Sequence, residues 1–208
     1  MDELQIVVLT KSAKHHNYCV SGINLRTKKL VRLVSQDEST MYALTPEMVI
    51  YKTGKECEIL DIVRVRVKEN VPLQIQKENV LIDEDYYFEY IGKMDLENIK
   101  QYVTTKGIVF GNTNTYIGKE TALQFGYSLG LYEVSNVILT DRTNNQGRNT
   151  KKVSFVFDGR YYEDWSMTDY AFYNISSKIA DKAYIVVSIP EDDYNGNYYK
   201  FVAQIFVL

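Results

Sequence analysis

The segment Cys57-Glu58-Ile59-Leu60-Asp61-Ile62-Val63-Arg64-Val65-Arg66-Val67-Lys68 alternates with a period of two. Ile59, Asp61, Val63, Val65 and Val67 fall on one face, and Leu60, Ile62, Arg64, Arg66 and Lys68 fall on the other. That period belongs to a strand rather than a helix. One face suits a core, and the distal end of the other is basic. Upstream, Leu4-Gln5-Ile6-Val7-Val8-Leu9 is a short apolar, β-branched run that reads as a buried strand. Between these two, Tyr18 to Ser35 reads as a hairpin, because Cys19–Leu25 and Leu30–Val34 flank the polar tip Arg26-Thr27-Lys28-Lys29.

Composition agrees with a sheet protein. The 208 residues include 18 Tyr but only 3 Pro, with 45% hydrophobic and 25% charged residues, values of an ordered globular chain whose residues suit half-buried pleated surfaces. The N-terminus lacks the basic region and cleavage site of a signal peptide, and no apolar window reaches the length of a membrane span, so a soluble, cytoplasmic protein is expected. Cys19 and Cys57 each lie in a strand-like run and are expected to be reduced.

Net charge is −3, which excludes a chain that coats nucleic acid over its whole surface. The distribution is uneven. Residues 11–34 hold Lys11, Lys14, Arg26, Lys28, Lys29 and Arg32 with no acidic residue, whereas acidic residues predominate over 69–106.

Helices are few. Thr45-Pro46-Glu47-Met48-Val49 predicts a short one, with Thr45 as cap and Pro46 at its first position. Asp95 caps a second, running to about Val103, with Leu96, Ile99 and Val103 on one face. Residues 72–83 look like an extended connector, followed by the aromatic run Tyr86-Tyr87-Phe88-Glu89-Tyr90. In the second half, Tyr132–Thr140, Lys152–Asp158, Arg160–Met167, Ala183–Ile189 and Tyr198–Leu208 read as strands, with Asp158-Gly159 as a hairpin turn and a helical turn after Thr168. The expected fold is mostly β, two tandem small OB-like β-barrels with a few short helices. The first barrel is expected at 1–83, a connecting helix and loop at 84–120, and the second barrel at 121–208.

Several segments carry a family likeness. Thr10-Lys11-Ser12-Ala13-Lys14, Tyr18-Cys19-Val20-Ser21-Gly22-Ile23-Asn24 and Leu30-Val31-Arg32-Leu33-Val34 resemble the opening of the bacterial dual OB-containing domain family. Gln76-Lys77-Glu78-Asn79, Thr168-Asp169 and Tyr199-Lys200-Phe201-Val202-Ala203 are similar to that family's later pattern. The resemblance implies two OB-like barrels in one polypeptide, with nucleic-acid or nucleotide recognition suggested by the fold type. It brings no catalytic residues with it.

On such a barrel the basic hairpin is the leading candidate site. Arg26, Lys28 and Lys29 at its tip, with Arg32 behind them, would meet phosphates; Lys11, Ser12 and Lys14 would extend the surface, and Arg64 and Arg66 would add a second basic row. Tyr18 is placed to stack on a base. The competing reading is a solvated sheet face and a charged tip that keeps edges soluble. The expected partner is therefore single-stranded nucleic acid or a nucleotide, bound without catalysis. The alternatives are a protein-interaction module of a bacterial multi-component system, using the second-half tyrosines, and a metal-dependent hydrolase using Asp158, Glu163, Asp164 and Asp169.

No metal or cofactor is expected. His15-His16 with Cys19 does not make a tetrahedral site, since adjacent residues on a strand face opposite ways and the chain has no other His and only one more Cys, Cys57. Gly118-Lys119 fails as a phosphate loop, since Thr113 stands where Gly is required and Glu120 where a hydroxyl is required. Asp193-Tyr194-Asn195-Gly196-Asn197 begins like a calcium loop, but its sixth position is Tyr198 and its twelfth Gln204.

Overall fold

The Leu4–Leu9 run is the centre of a much longer strand. In the computed structural model, which describes residues 2–14, 17–143, 147 and 149–208, β1 spans Asp2–Lys14, β2 Asn17–Asn24, β3 Leu30–Val34, β4 Asp61–Asn70, β5 Asn79–Ile82 and β6 Glu89–Lys93. The antiparallel meander β1-β2-β3 continues through a parallel β3–β5 pair and an antiparallel β5–β4 pair. β4 then returns to β1, with Asp2 opposite Val67 and Val7 opposite Ile62, and so closes a five-stranded barrel. β6 is added outside the ring, on β4.

Closing so few strands demands sharp curvature. The β1–β2 register shifts between Val8 and Thr10, a bulge of the kind that bends a strand. Gly22 pairs with Val8 beside it, where a Cβ would stand 2.2 Å from the Val7 carbonyl oxygen. Thr10 and Ser21 bridge the two strands through their hydroxyls at 2.7 Å.

β4 begins at Asp61 rather than Cys57, because Leu60 takes a left-handed φ of 72° that no strand continues through. From Asp61 onward the expected alternation holds. Asp61, Val63, Val65 and Val67 are buried, while Arg64 and Arg66 are half-buried on the outer face and Lys68 is exposed. The helix expected at 45–49 is a single 3-10 turn, Pro46–Val49, whose Thr45 makes no side-chain cap. Its connection delivers Leu44, Val49, Tyr51 and Cys57 to the barrel core, so Cys57 lies in a core-filling loop rather than a strand. Cys19 and Cys57 are free thiols, and burial pushes the Cys57 thiol up to about 12.

The helix expected from Asp95 to Val103 is one α-helical turn, α1 (Leu96–Ile99), tightening into a 3-10 turn at Lys100–Tyr102. Then follow β7 (Tyr116–Gly118), α2 (Lys119–Phe125), β8 (Leu129–Thr143), β9 (Asn149–Phe157), β10 (Arg160–Met167), β11 (Lys178–Ser188), β12 (Asn197–Tyr199) and β13 (Phe201–Val207). α2 is absent from the sequence reading because Ala122 alone is buried along it, which leaves no apolar stripe to detect. β8-β9-β10-β13-β11 form a second closed barrel, with β10 and β13 parallel. Asp158 and Gly159 both adopt positive φ at the β9–β10 turn, as a primed hairpin turn requires. The core holds Trp165, Tyr162, Phe155 and Phe157, with the Phe155 and Tyr162 rings stacked at 4.9 Å.

The chain divides into two compact units, Met1–Tyr102 and Val103–Leu208. The 84–120 stretch, expected to connect the barrels, is shared between them: β6 and α1 belong to the first, β7 and the start of α2 to the second. Among the described residues no helix is long and apolar enough to cross a membrane.

Candidate nucleic-acid interface

The basic tip is built by the residue before it. Buried Asn24 accepts from the backbone N–H groups of Arg26 (2.9 Å) and Thr27 (3.1 Å) through its side-chain oxygen, and from Lys28 N–H (2.8 Å) through its carbonyl. Such local bonding is why Asn favours turns. Lys28 adopts φ 62°, which reverses the chain so that Lys29 O can accept from Asn24 N–H at 2.9 Å. Arg26, Thr27, Lys28 and Lys29 are all exposed. Lys28 Nζ lies 5.8 Å from the centre of the Tyr102 ring.

The base of the tip is tied to β1, where Leu25 N–H donates to Gln5 O at 2.9 Å. Gln5 pairs in turn with Arg64, and Glu3 with Arg66. A groove of about 400 Å³ results, lined by Glu3, Leu4, Gln5, Asn24, Leu25, Arg26 and Arg64. Arg26 and Arg64, from opposite sides of β1, therefore share one groove. Arg64 and Glu3 also line an adjoining cavity of about 650 Å³ with Arg66, Tyr86, Tyr87 and Tyr90.

The carboxylates here are surface partners. Arg64 Nη1 is 2.8 Å from Glu89, and Glu3 lies 3.6 Å from both Arg64 Nε and Arg66 Nε. With side chains between 33% and 59% exposed, these pairs are of the kind that contribute little and yield to a competing anion.

The remaining predicted residues lie elsewhere. Lys11 is six positions along β1 from Gln5, about 20 Å at strand rise, and its Nζ meets Glu56 at 2.7 Å and Cys57 O at 2.9 Å. Tyr18 lies beneath that amine, 4.9 Å from ring centre to Nζ, and its hydroxyl donates to Glu56 at 3.2 Å; burial, then the Glu56 charge, raises its pKa. Lys11 and Tyr18 are thus knitted to a carboxylate of their own. Ser12 is half-buried next to them, and Lys14 ends β1 opposite Asn17, its side chain not among those described. Arg32 is buried, its guanidinium 3.8 Å from Glu78 with both side chains at most 10% exposed. His15 and His16 lie outside the described residues.

Three of the four acidic residues are dispersed into separate contacts, and Glu163 is exposed. Asp158 accepts from Gly107 N–H and pairs with Arg160, Asp164 forks onto Arg142, and buried Asp169 accepts from Ala171 N–H, Ile205 N–H and the Gln204 amide. Among the described residues no three His, Cys, Asp or Glu side chains are grouped to hold a metal ion. Lys119 pairs with Asp193, and Asp193 accepts from Gly196 N–H to make a polar turn. The 86–90 aromatic run is not among the predicted site residues; its signal in the sequence is three tyrosines within five positions around Phe88, and the structure exposes the tyrosines while burying Phe88.

Both closed barrels share one order, first-second-third-fifth-fourth, with the third and fifth strands parallel. That topology defines a tandem pair of OB-type barrels. The family model of the dual OB-containing domain matches residues 4–205, and the chain belongs to that family. No curated protein and no solved structure matches it.

Proposed function

We propose that the chain is a nucleic-acid-binding module that works without catalysis, its first barrel holding a single strand in the groove between the β2–β3 tip and β4. The observation that supports this most directly is that Arg26 and Arg64 line one groove against a single acidic side chain, Glu3. Lys28 and Lys29 stand exposed on the same tip and extend the cationic track outward. Planar guanidinium groups and ammonium groups on flexible stems along one path suit a phosphodiester backbone, and backbone contacts of this kind bind without sequence preference.

Replacing Arg26, Lys28 and Lys29 together with Ala should weaken binding of any single-stranded oligonucleotide by about tenfold or more at low salt. Loss of three phosphate contacts should also flatten the dependence of log affinity on log salt by roughly 2. Stability should change by no more than about 0.5 kcal/mol, since the three side chains are exposed. Fluorescence anisotropy across a salt series measures both quantities. An unchanged slope in a folded triple variant, or no binding by the parent protein at low salt, would overturn the reading.

A second reading, a protein-contact surface, draws on the two-stranded β7–β12 sheet of the second unit. Tyr116, Tyr199 and Tyr194 are exposed with ring centres 5.8 and 6.4 Å apart in series, and tyrosine is enriched at interfaces.

A further inference from the structure

We propose that the cavity beside Arg66 is a pocket for one unstacked nucleobase of the strand whose phosphates lie along Arg26 and Arg64; the proposal rests on the single-strand reading above. Its walls are aromatic. Tyr86, Tyr87 and Tyr90 are 40%, 55% and 52% exposed, so three large rings within five residues face solvent where their burial would be favourable. Buried Tyr51 meets Tyr90 edge-on at 5.6 Å beneath them, and Arg66 stacks on Tyr86 with its guanidinium carbon 4.0 Å from the ring centre. Rings and a guanidinium plane of this kind are the surfaces on which unpaired bases stack. The volume, about 650 Å³, is that of a small-ligand cleft.

Charge balance assigns the parts of the ligand. The cavity has Lys52, Arg64 and Arg66 against Glu3, Asp85 and Glu89, so it offers no net attraction to a phosphate. The adjoining groove adds exposed Arg26, with Lys28 and Lys29 beyond it on the tip, and no carboxylate besides the shared Glu3, and so it does attract one. Because the two spaces share Arg64 and Glu3, a strand with its backbone in the groove can turn a neighbouring base into the cavity. The rim carboxylates then supply acceptors for the amino group of adenine, guanine or cytosine. A duplex, with its bases already stacked and paired, cannot make this contact.

The test uses the full chain and labelled single strands of about 12 nucleotides, within the site size of one barrel, in intact and abasic versions. The variants are Tyr87→Ala and Tyr87→Phe, at an exposed position whose loss leaves the core untouched. Tyr87→Ala should weaken binding of the intact strand about 5- to 150-fold, the fold-change of one lost stacking contact, with an unchanged salt slope. Tyr87→Phe should restore it, and the abasic strand should bind the parent weakly and Tyr87→Ala no worse. Equal binding of intact and abasic strands, or indifference to Tyr87→Ala while the tip triple variant is weakened, would overturn the pocket and leave the groove reading standing. Failure of the parent to bind any strand would overturn both.

Discussion

Lys200→Met is expected to lower the stability of the second barrel by about 2–4 kcal/mol, the cost of leaving buried carbonyl oxygens without their donor. Lys200 is 1% exposed, and its ammonium donates to Val109 O at 3.0 Å, Asn112 O at 2.8 Å and Asn112 Oδ1 at 2.9 Å. The same nitrogen lies 4.8 Å over the Trp165 ring, whose indole N–H donates to Thr113 O. One lysine thus gathers the 109–113 loop onto the barrel, a loop that also carries Phe110 at an unfavourable φ of 45°. Desolvation pulls the Lys200 pKa down to about 7, and the three oxygens and the indole face favour the charged form against that pull. Methionine fills similar space but leaves Val109 O and Asn112 O without a donor, each worth about 1–3 kcal/mol, while Asn112 Oδ1 keeps the bond from Asn114 N–H. Trp165 is the protein's single tryptophan, so its fluorescence during denaturant unfolding reports this barrel. A loss below about 1 kcal/mol would show that the loop docks without the lysine.

Gly22→Ala is expected to cost about 3 kcal/mol in the first barrel, at the upper end for overpacking. The new methyl would lie 2.2 Å from Val7 O and 3.0 Å from Val7 C, both backbone atoms held by the β1–β4 pairing. Relief requires β1 and β2 to separate at the bulge that lets the barrel close. Gly92→Ala in β6 is the control, because a Cβ there meets nothing within 4 Å and no positive φ constrains it. Its effect should stay within about 0.5 kcal/mol. Hydrogen exchange of the β1 and β2 amides should rise sharply in Gly22→Ala and stay put in Gly92→Ala; equal protection in both would show that the strands absorb the methyl.

The family-like segments turn out to be architectural more than ligand-facing. Arg32 is buried against Glu78, Asp169 takes three donors near β13, and Lys200 holds the 109–113 loop. Their side chains read in sequence as surface charge or as turn residues, and nothing local distinguishes a lysine in solvent from one with three carbonyls around it.

Local alternation was enough to determine the strand-rich composition, the two-faced character of β4 from Asp61 on, the β2–β3 hairpin with its polar tip and the Asp158-Gly159 turn. These follow from neighbours in the chain, since a period of two or a turn residue acts within a few positions. Only the tertiary structure decided which strands close the rings, that Arg26 shares a groove with Arg64 while Lys11 is held by Glu56, and that Tyr86, Tyr87 and Tyr90 stand beside Arg66. Those are pairings between residues far apart in sequence, and their partners are set by strand register across the barrel, which no single strand's pattern contains.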